Sequence, residues 1–213
     1  KQHGQEVHLF APFGRFNENK PIEEQEFKTH RWNPLDYIST DPAARIEDID
    51  AIATALYSTT NEKDAFWSDM AKDLFRGLCL MVLETEGLQH TLREILRQAS
   101  GKGKPLAEHV RDMINTAEEN GKPYSNACID ALNRIITSSD NTLNNILNTF
   151  NAKLLTFANP RVDAATSASD FDLRQVRRKK MTIYIGIRPS DLGQAAFIIN
   201  LFFDQLINLN TRT

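Results

Sequence analysis

Cysteine and histidine are scarce in this 213-residue chain. The two cysteines, Cys79 and Cys128, lie inside apolar helical patterns, with no CxxC spacing and no histidine at ligand spacing. That argues against a disulfide framework or a zinc site and reads both thiols as small core side chains in a reducing compartment. The five histidines, His3, His8, His30, His90 and His109, are scattered without metal spacing. Neither HExxH nor GxSxG occurs, so no metalloprotease helix and no nucleophile elbow is encoded. No apolar run approaches the ~20 residues that cross a bilayer, and no signal peptide is visible. An excess of positive charge is also missing. Lys and Arg total 25 against 28 Asp and Glu, giving a formal net charge of -3. A chain built mainly to grip nucleic acid is normally basic, so the bulk charge gives that role no support.

Phosphate-binding motifs are absent too. A Walker A loop needs GxxxxGK[ST], because successive backbone N–H groups must wrap the phosphates while Lys and a hydroxyl reach the γ-phosphate and Mg²⁺. Gly101-Lys102-Gly103-Lys104-Pro105 lacks the hydroxyl and the spacing, and it joins two helical patterns. It reads as a flexible basic linker. Arg188 and Pro189 follow the apolar run Met181 to Ile187 where the acid of a Walker B strand would stand. The acid pairs Glu23-Glu24 and Glu118-Glu119 lie in polar stretches and read as solvated faces, not as a general acid/base pair.

What is present is ordinary globular composition, 41% hydrophobic and 25% charged, enough for one large domain or two small ones. Glu6 to Ala11 is a short apolar run suited to a buried strand. Pro12 to His30 is polar and irregular, a loop. Trp32-Asn33-Pro34-Leu35-Asp36-Tyr37-Ile38 predicts a packed turn, since Pro34 pushes Asn33 into extended geometry. Helical patterns follow. Asp41-Pro42 supplies an N-cap and an N1 proline, Asp64 can cap the next helix, and Leu78 to Leu83 is apolar all round, which places that helix at a domain centre. Thr91-Leu92-Arg93-Glu94 is a capping box. Further helices are predicted behind Pro105, around Cys128 to Ile136, and from Asp140 to about Ala158, stopping at Asn159-Pro160. Arg161 to Asp170 reads as a loop. Met181 to Ile187 is apolar on both faces, like a strand covered on both sides, though it need not pair with the first strand. Gln194 to Leu209 is an apolar helix interrupted by Asn200, Asp204, Gln205 and Asn208.

Two features offer binding chemistry. Asn141, Asn144, Asn145, Asn148 and Asn151 fall at i, i+3, i+4, i+7 and i+10 and form one helix stripe opposite Leu143, Ile146, Leu147 and Phe150. Asn is a mediocre helix former, and a purely solvated face would more cheaply carry charges. The stripe is therefore a candidate surface for a partner chain or neighbouring domain; otherwise it is simply polar surface. The run Arg174, Arg177, Arg178, Lys179 and Lys180 could meet phosphates or an acidic partner, or could be a solvated approach to the strand at Met181.

Several of these segments, taken in order, resemble one known family. Gly4 to Phe10, then Arg31-Trp32-Asn33-Pro34-Leu35-Asp36-Tyr37-Ile38, Phe66-Trp67 ahead of Ala71-Lys72-Asp73-Leu74-Phe75, Thr91 to Glu94, and Met181 to Ile187 with Pro189-Ser190-Asp191 are similar to TraG/TraD-type coupling proteins, the substrate-receptor ATPases of type IV secretion and conjugation. The resemblance implies a mainly α chain: a multi-helix all-α domain inserted in a partial RecA-like α/β nucleotide-binding domain. The expected division is 1–35 as the first α/β flank, 36–170 as the all-α substrate-recognition insert, and 171–213 as the strand-plus-helix flank. The chain opens without Met and reads as a piece of a longer polypeptide. The resemblance further implies a full-length ATPase using ATP and Mg²⁺, forming a homohexamer anchored at the cytoplasmic face of the bacterial inner membrane. This part itself would lack catalytic residues, metal and cofactor. Implied partners are secreted effector proteins or a relaxase, other secretion-channel subunits, and DNA. The leading expectation is recruitment of effectors or relaxase–DNA complexes; the alternative is a DNA-contacting helical domain of the same motor. An independent small-molecule enzyme has no constellation behind it.

Overall fold

The computed structural model describes residues 4–14 and 29–211; the loop expected at 15–28, the pair Glu23-Glu24 and His3 lie outside the described residues. The chain divides into two compact units: residues 37–158, and the two flanks up to residue 36 and from residue 159. It is mainly α, with two strands among the described residues.

The helical unit holds α1 (Pro42–Tyr57), α2 (Glu62–Glu84), α3 (Leu92–Ala99), α4 (Leu106–Glu119), α5 (Asn126–Ile136) and α6 (Asp140–Leu154), closed by a 3-10 turn at Leu155–Ala158. Side-chain caps punctuate it. Asn61, not Asp64, caps α2: its Oδ1 accepts from the Lys63 N–H at 3.1 Å while its Nδ2 donates to Asp64 at 2.7 Å. Asp64 sits a turn inside the helix, where its charge meets the positive end of the helix dipole. Thr91, Ser125 and Ser139 accept from the third residue beyond each of them, capping α3, α5 and α6. Only half of the predicted capping box forms. The Thr91 N–H donates to Gln89 instead, because the Glu94 carboxylate turns inward to Gln98.

Helix α2 is the centre of this unit, with Leu74, Phe75 and every residue from Leu78 to Val82 buried. Helix α5 runs antiparallel to it: Ser125 meets Glu84, and Arg134 meets Asp73. Their close crossing depends on Gly77, where a Cβ would lie 2.8 Å from Leu132 Cγ and 3.2 Å from the Leu132 backbone nitrogen. Tyr57 stacks on Phe150 at 5.8 Å and donates its hydroxyl to the Phe150 carbonyl, which ties α1 to α6. The segment Gly101–Gly103 is an ordered 3-10 turn, in contrast to the flexible linker expected. Lys102 adopts φ 49°, and its Nζ lies 3.4 Å from Glu94.

In the α/β unit, β1 (Glu6–Phe10) and β2 (Met181–Ile185) pair in parallel, Glu6 opposite Met181 and Phe10 opposite Ile185. Strand β2 is not buried on both faces as the sequence suggested, with Tyr184 59% exposed, and β1, expected to be buried, leaves Val7 49% exposed. The apolar pattern demands cover on two sides, and the described residues supply it on one. That cover is α8 (Leu192–Thr211), which buries Ala195, Ile198, Leu201 and Phe202. Phe10, Trp32 and Phe202 form the core, with ring centroids 5.0–5.7 Å apart. The stretch Pro189–Thr211 is long and apolar enough to cross a bilayer, contrary to the expectation that no run would be. Its polar residues are used inside the unit, however. Gln205 accepts from Trp32 Nε1 at 3.1 Å and donates to the Pro34 carbonyl at 2.9 Å, and Asn210 donates to the Leu173 carbonyl at 3.0 Å.

The region read as a loop from Arg161 contains α7 (Pro160–Ala165). Asn159-Pro160 starts this helix as well as ending the preceding one: the Asn159 side chain accepts from the Arg161 N–H, and Pro160 takes the first helical position. Val162 and Ala165 are fully buried. The Ala165 carbonyl accepts from the Trp32 N–H at 2.9 Å, and Asp170 receives Arg31 through two guanidinium nitrogens. The outgoing segment 31–33 and the returning segment 165–170 are thus clasped side by side. The compact units meet in the chain at 158/159 on this side of the insert.

Candidate partner-binding surfaces

Ser139 fixes the start of α6, and the buried row Ile146, Phe150 and Leu154 fixes its rotation. The asparagine stripe therefore points away from the core. Asn141, Asn144, Asn145 and Asn148 are exposed and Asn151 is half-buried. Among the described residues none of their side-chain amides makes a hydrogen bond; the Asn145 backbone carbonyl additionally accepts from the Thr149 hydroxyl. From Asn141 to Ala152 the helix carries no ionisable side chain. The structure thus keeps the five amides together as one uncharged, uncommitted face.

The basic run is dispersed into local roles. Arg174 pairs with Asp172 at 2.9 Å. Arg177 donates to the Asn210 carbonyl at 2.6 Å, a cation set against the negative end of α8. Lys179 lies 3.5 Å from Glu6. Arg178 and Lys180 are exposed, and neither has an ion-pair partner among the described residues. Three of the five residues are therefore engaged within the unit, leaving two for anything outside it.

Several other ionisable groups are buried or paired within the fold. Burial pushes the Cys79 and Cys128 thiols well up, so neither is a nucleophile at neutral pH. Glu94, Gln98 and His109 form a buried chain that sequence reading missed: Gln98 Nε2 donates to Glu94 at 2.6 Å, and Gln98 Oε1 lies 2.7 Å from His109 Nε2. An amide oxygen only accepts, so His109 carries its proton on Nε2 there. Burial, with Lys102 nearby, holds His109 below its ordinary value. The Arg31 hydrogen bond holds the Asp170 carboxyl below the usual carboxylate range. An i, i+4 spacing between Glu94 and Gln98 was the available signal for the buried chain; nothing local foretold the pairing of Arg31 with Asp170.

Two concavities lie within single units. A 460 Å³ cleft in the helical unit is lined by Glu84, Glu86, Met113, Asn120, Lys122 and Tyr124. A 650 Å³ apolar groove in the α/β unit is lined by Tyr184, Leu192, Phe202, Phe203 and Leu206 among others. Among the described residues no His, Cys, Asp or Glu cluster could hold a metal ion.

The described residues form an α/β unit interrupted in sequence by an all-α unit. The chain belongs to the family described as "Type IV secretory system Conjugative DNA transfer", whose model matches residues 1–213. It is similar to protein VirD4 of Rhizobium radiobacter, 27% identical over 223 residues covering 100% of this chain and 28% of that protein. The VirD4 of Rhizobium rhizogenes is 25% identical over 100% of the chain and 29% of its own length. That of Agrobacterium fabrum is 26% identical over 89% of the chain and 27% of its length. The chain thus spans less than a third of the relatives it matches. The family match and these relatives together bear out the resemblance to type IV secretion coupling proteins.

Proposed function

We propose that residues 37–158 recruit protein cargo, either secreted effectors or a relaxase with its bound DNA, to a secretion motor of which the α/β unit is a part. The charge distribution carries this reading. The helical unit holds 17 Asp and Glu against 12 Lys and Arg, a formal net charge of -5, whereas the flanks hold 11 against 13. A surface that neutralises DNA phosphates needs the opposite sign. The full-length protein is an ATPase using ATP and Mg²⁺, a homohexamer at the cytoplasmic face of the inner membrane, in contact with other channel subunits. Its phosphate site is not the Gly101–Gly103 turn, which joins two helices and commits Lys102 to Glu94. Removing residues 37–158 from the full-length protein and bridging the gap with a short linker should abolish capture of the cognate relaxase or effector while leaving ATP hydrolysis measurable. Undiminished capture would refute the reading.

A second reading, DNA contact, is favoured by exposed Arg178 and Lys180. It predicts DNA binding that falls steeply with salt and weakens in Arg178→Ala/Lys180→Ala.

A further inference from the structure

We infer that the amide face of α6 clamps the main chain of an extended polypeptide segment, reading peptide groups and not side-chain charges. This rests on the reading that the helical unit recruits protein, and it names the surface and the chemistry. Five amides on one helix face are uncommitted, and four of them are exposed. A primary amide presents donors and an acceptor in one plane, the complement of a peptide N–H and C=O, whereas Lys only donates and ionised Glu only accepts. The face is also neutral. From Asn141 to Ala152 it offers no Coulomb attraction to a phosphate or a charged side chain, although the unit around it carries a net charge of -5. Main chain is the abundant polar partner that is neutral as well.

Spacing supports the match. Asn141/Asn145 and Asn144/Asn148 are i, i+4 pairs, about 6 Å apart along the helix. An extended chain presents peptide groups on one edge about every 6.7 Å. Asn151 carries the row one turn further. Each of these positions would make a more stable helix as Ala, so the stripe is not there for the helix. An apolar shelf lies toward the same end of the unit. Helix α5 runs antiparallel to α2, so α6 begins toward the N-terminal half of α2. There Phe66, 56% exposed, packs edge-to-face on Trp67 at 5.0 Å. Phe66, backed by the half-buried Trp67, offers a surface to an apolar side chain of the same segment.

The test uses the full-length protein and a fluorescein-labelled twelve-residue peptide of alternating Thr and Ala, followed by anisotropy. A second peptide carries N-methyl groups on alternate residues, blocking one edge. The wild type should bind the first peptide, and binding should weaken about tenfold for the methylated peptide and about tenfold in Asn144→Ala/Asn145→Ala/Asn148→Ala. The thermal midpoint of that variant should be equal or higher. Failure of the wild type to bind the first peptide, equal binding of both peptides, or unchanged binding by the variant would overturn the clamp. So would loss of self-association by the variant with peptide binding intact, which would assign the face to a second copy. If the variant still captures relaxase while removal of 37–158 abolishes capture, the clamp falls and the recruitment reading stands. If removal of 37–158 leaves capture intact, the recruitment reading falls and takes the clamp with it.

Discussion

Gln205 holds Trp32 with one end of its amide and Pro34 with the other, in the middle of an otherwise apolar helix. Replacing it by Leu leaves the indole N–H of a fully buried Trp without a partner, which costs about 1–3 kcal/mol. Gln205→Leu should therefore lower the thermal midpoint by roughly 2–10 °C, measured by circular dichroism. At the clasp, Asp170→Asn removes a charge that receives Arg31 twice. Both side chains are partly exposed, so the loss is about 1 kcal/mol. Its pH dependence has a definite sign. Arg31 depresses the Asp170 pKa in the folded state, so the stabilisation is complete above the ordinary value of about 3.9 and fades as pH falls through the lower folded value. The gap in stability between wild type and Asp170→Asn should close in acid; a gap that widens there would contradict the pairing. In sequence, Gln205 was visible only as a polar interruption, because its partners lie about 170 positions away. Cys79 and Cys128, by contrast, were legible from their apolar neighbours alone.

Among elements, the α2–α5 crossing is the tightest test of packing. An Ala at position 77 gains helix propensity of about 1 kcal/mol over Gly. It also drives a methyl against Leu132, including a backbone atom that cannot rotate away, and overpacking costs about 1–3 kcal/mol. Gly77→Ala should thus be neutral to destabilising and Gly77→Val clearly destabilising in urea unfolding; stabilisation by both would show that the helices do not cross there. The helices of the insert were readable because they repeat their apolar residues with helical period, and α2, α3, α5 and α6 carry an Asn, Thr or Ser side-chain cap while Pro42 and Pro105 mark the starts of α1 and α4. Helix α7 escaped notice for a physical reason. Its six residues are too few to show a period, and Asn159-Pro160 reads equally well as a stop or a start. The strands were placed correctly, yet their burial was not, since cover comes from elements that a local pattern cannot reveal.

For the molecule as a whole, the pairing of residues 31–33 with 165–170 explains how a chain can carry an insert without losing its α/β unit. The two ends of the excursion are fastened together before the helical residues are counted. The family and the insert were legible in the order of short segments such as Trp32-Asn33-Pro34-Leu35. Of the two candidate surfaces, the outward placement of the five α6 amides followed from helical spacing, whereas the local pairing of Arg174, Arg177 and Lys179 depends on packing that the sequence does not display. The most direct test of the account is hydrogen–deuterium exchange on the full-length protein with and without its cognate relaxase, at about 0.3 M salt, where contacts to DNA phosphates are strongly weakened. The account predicts new protection within residues 37–158, strongest at α6. Protection confined to residues 174–180, with none in the helical unit, would contradict it.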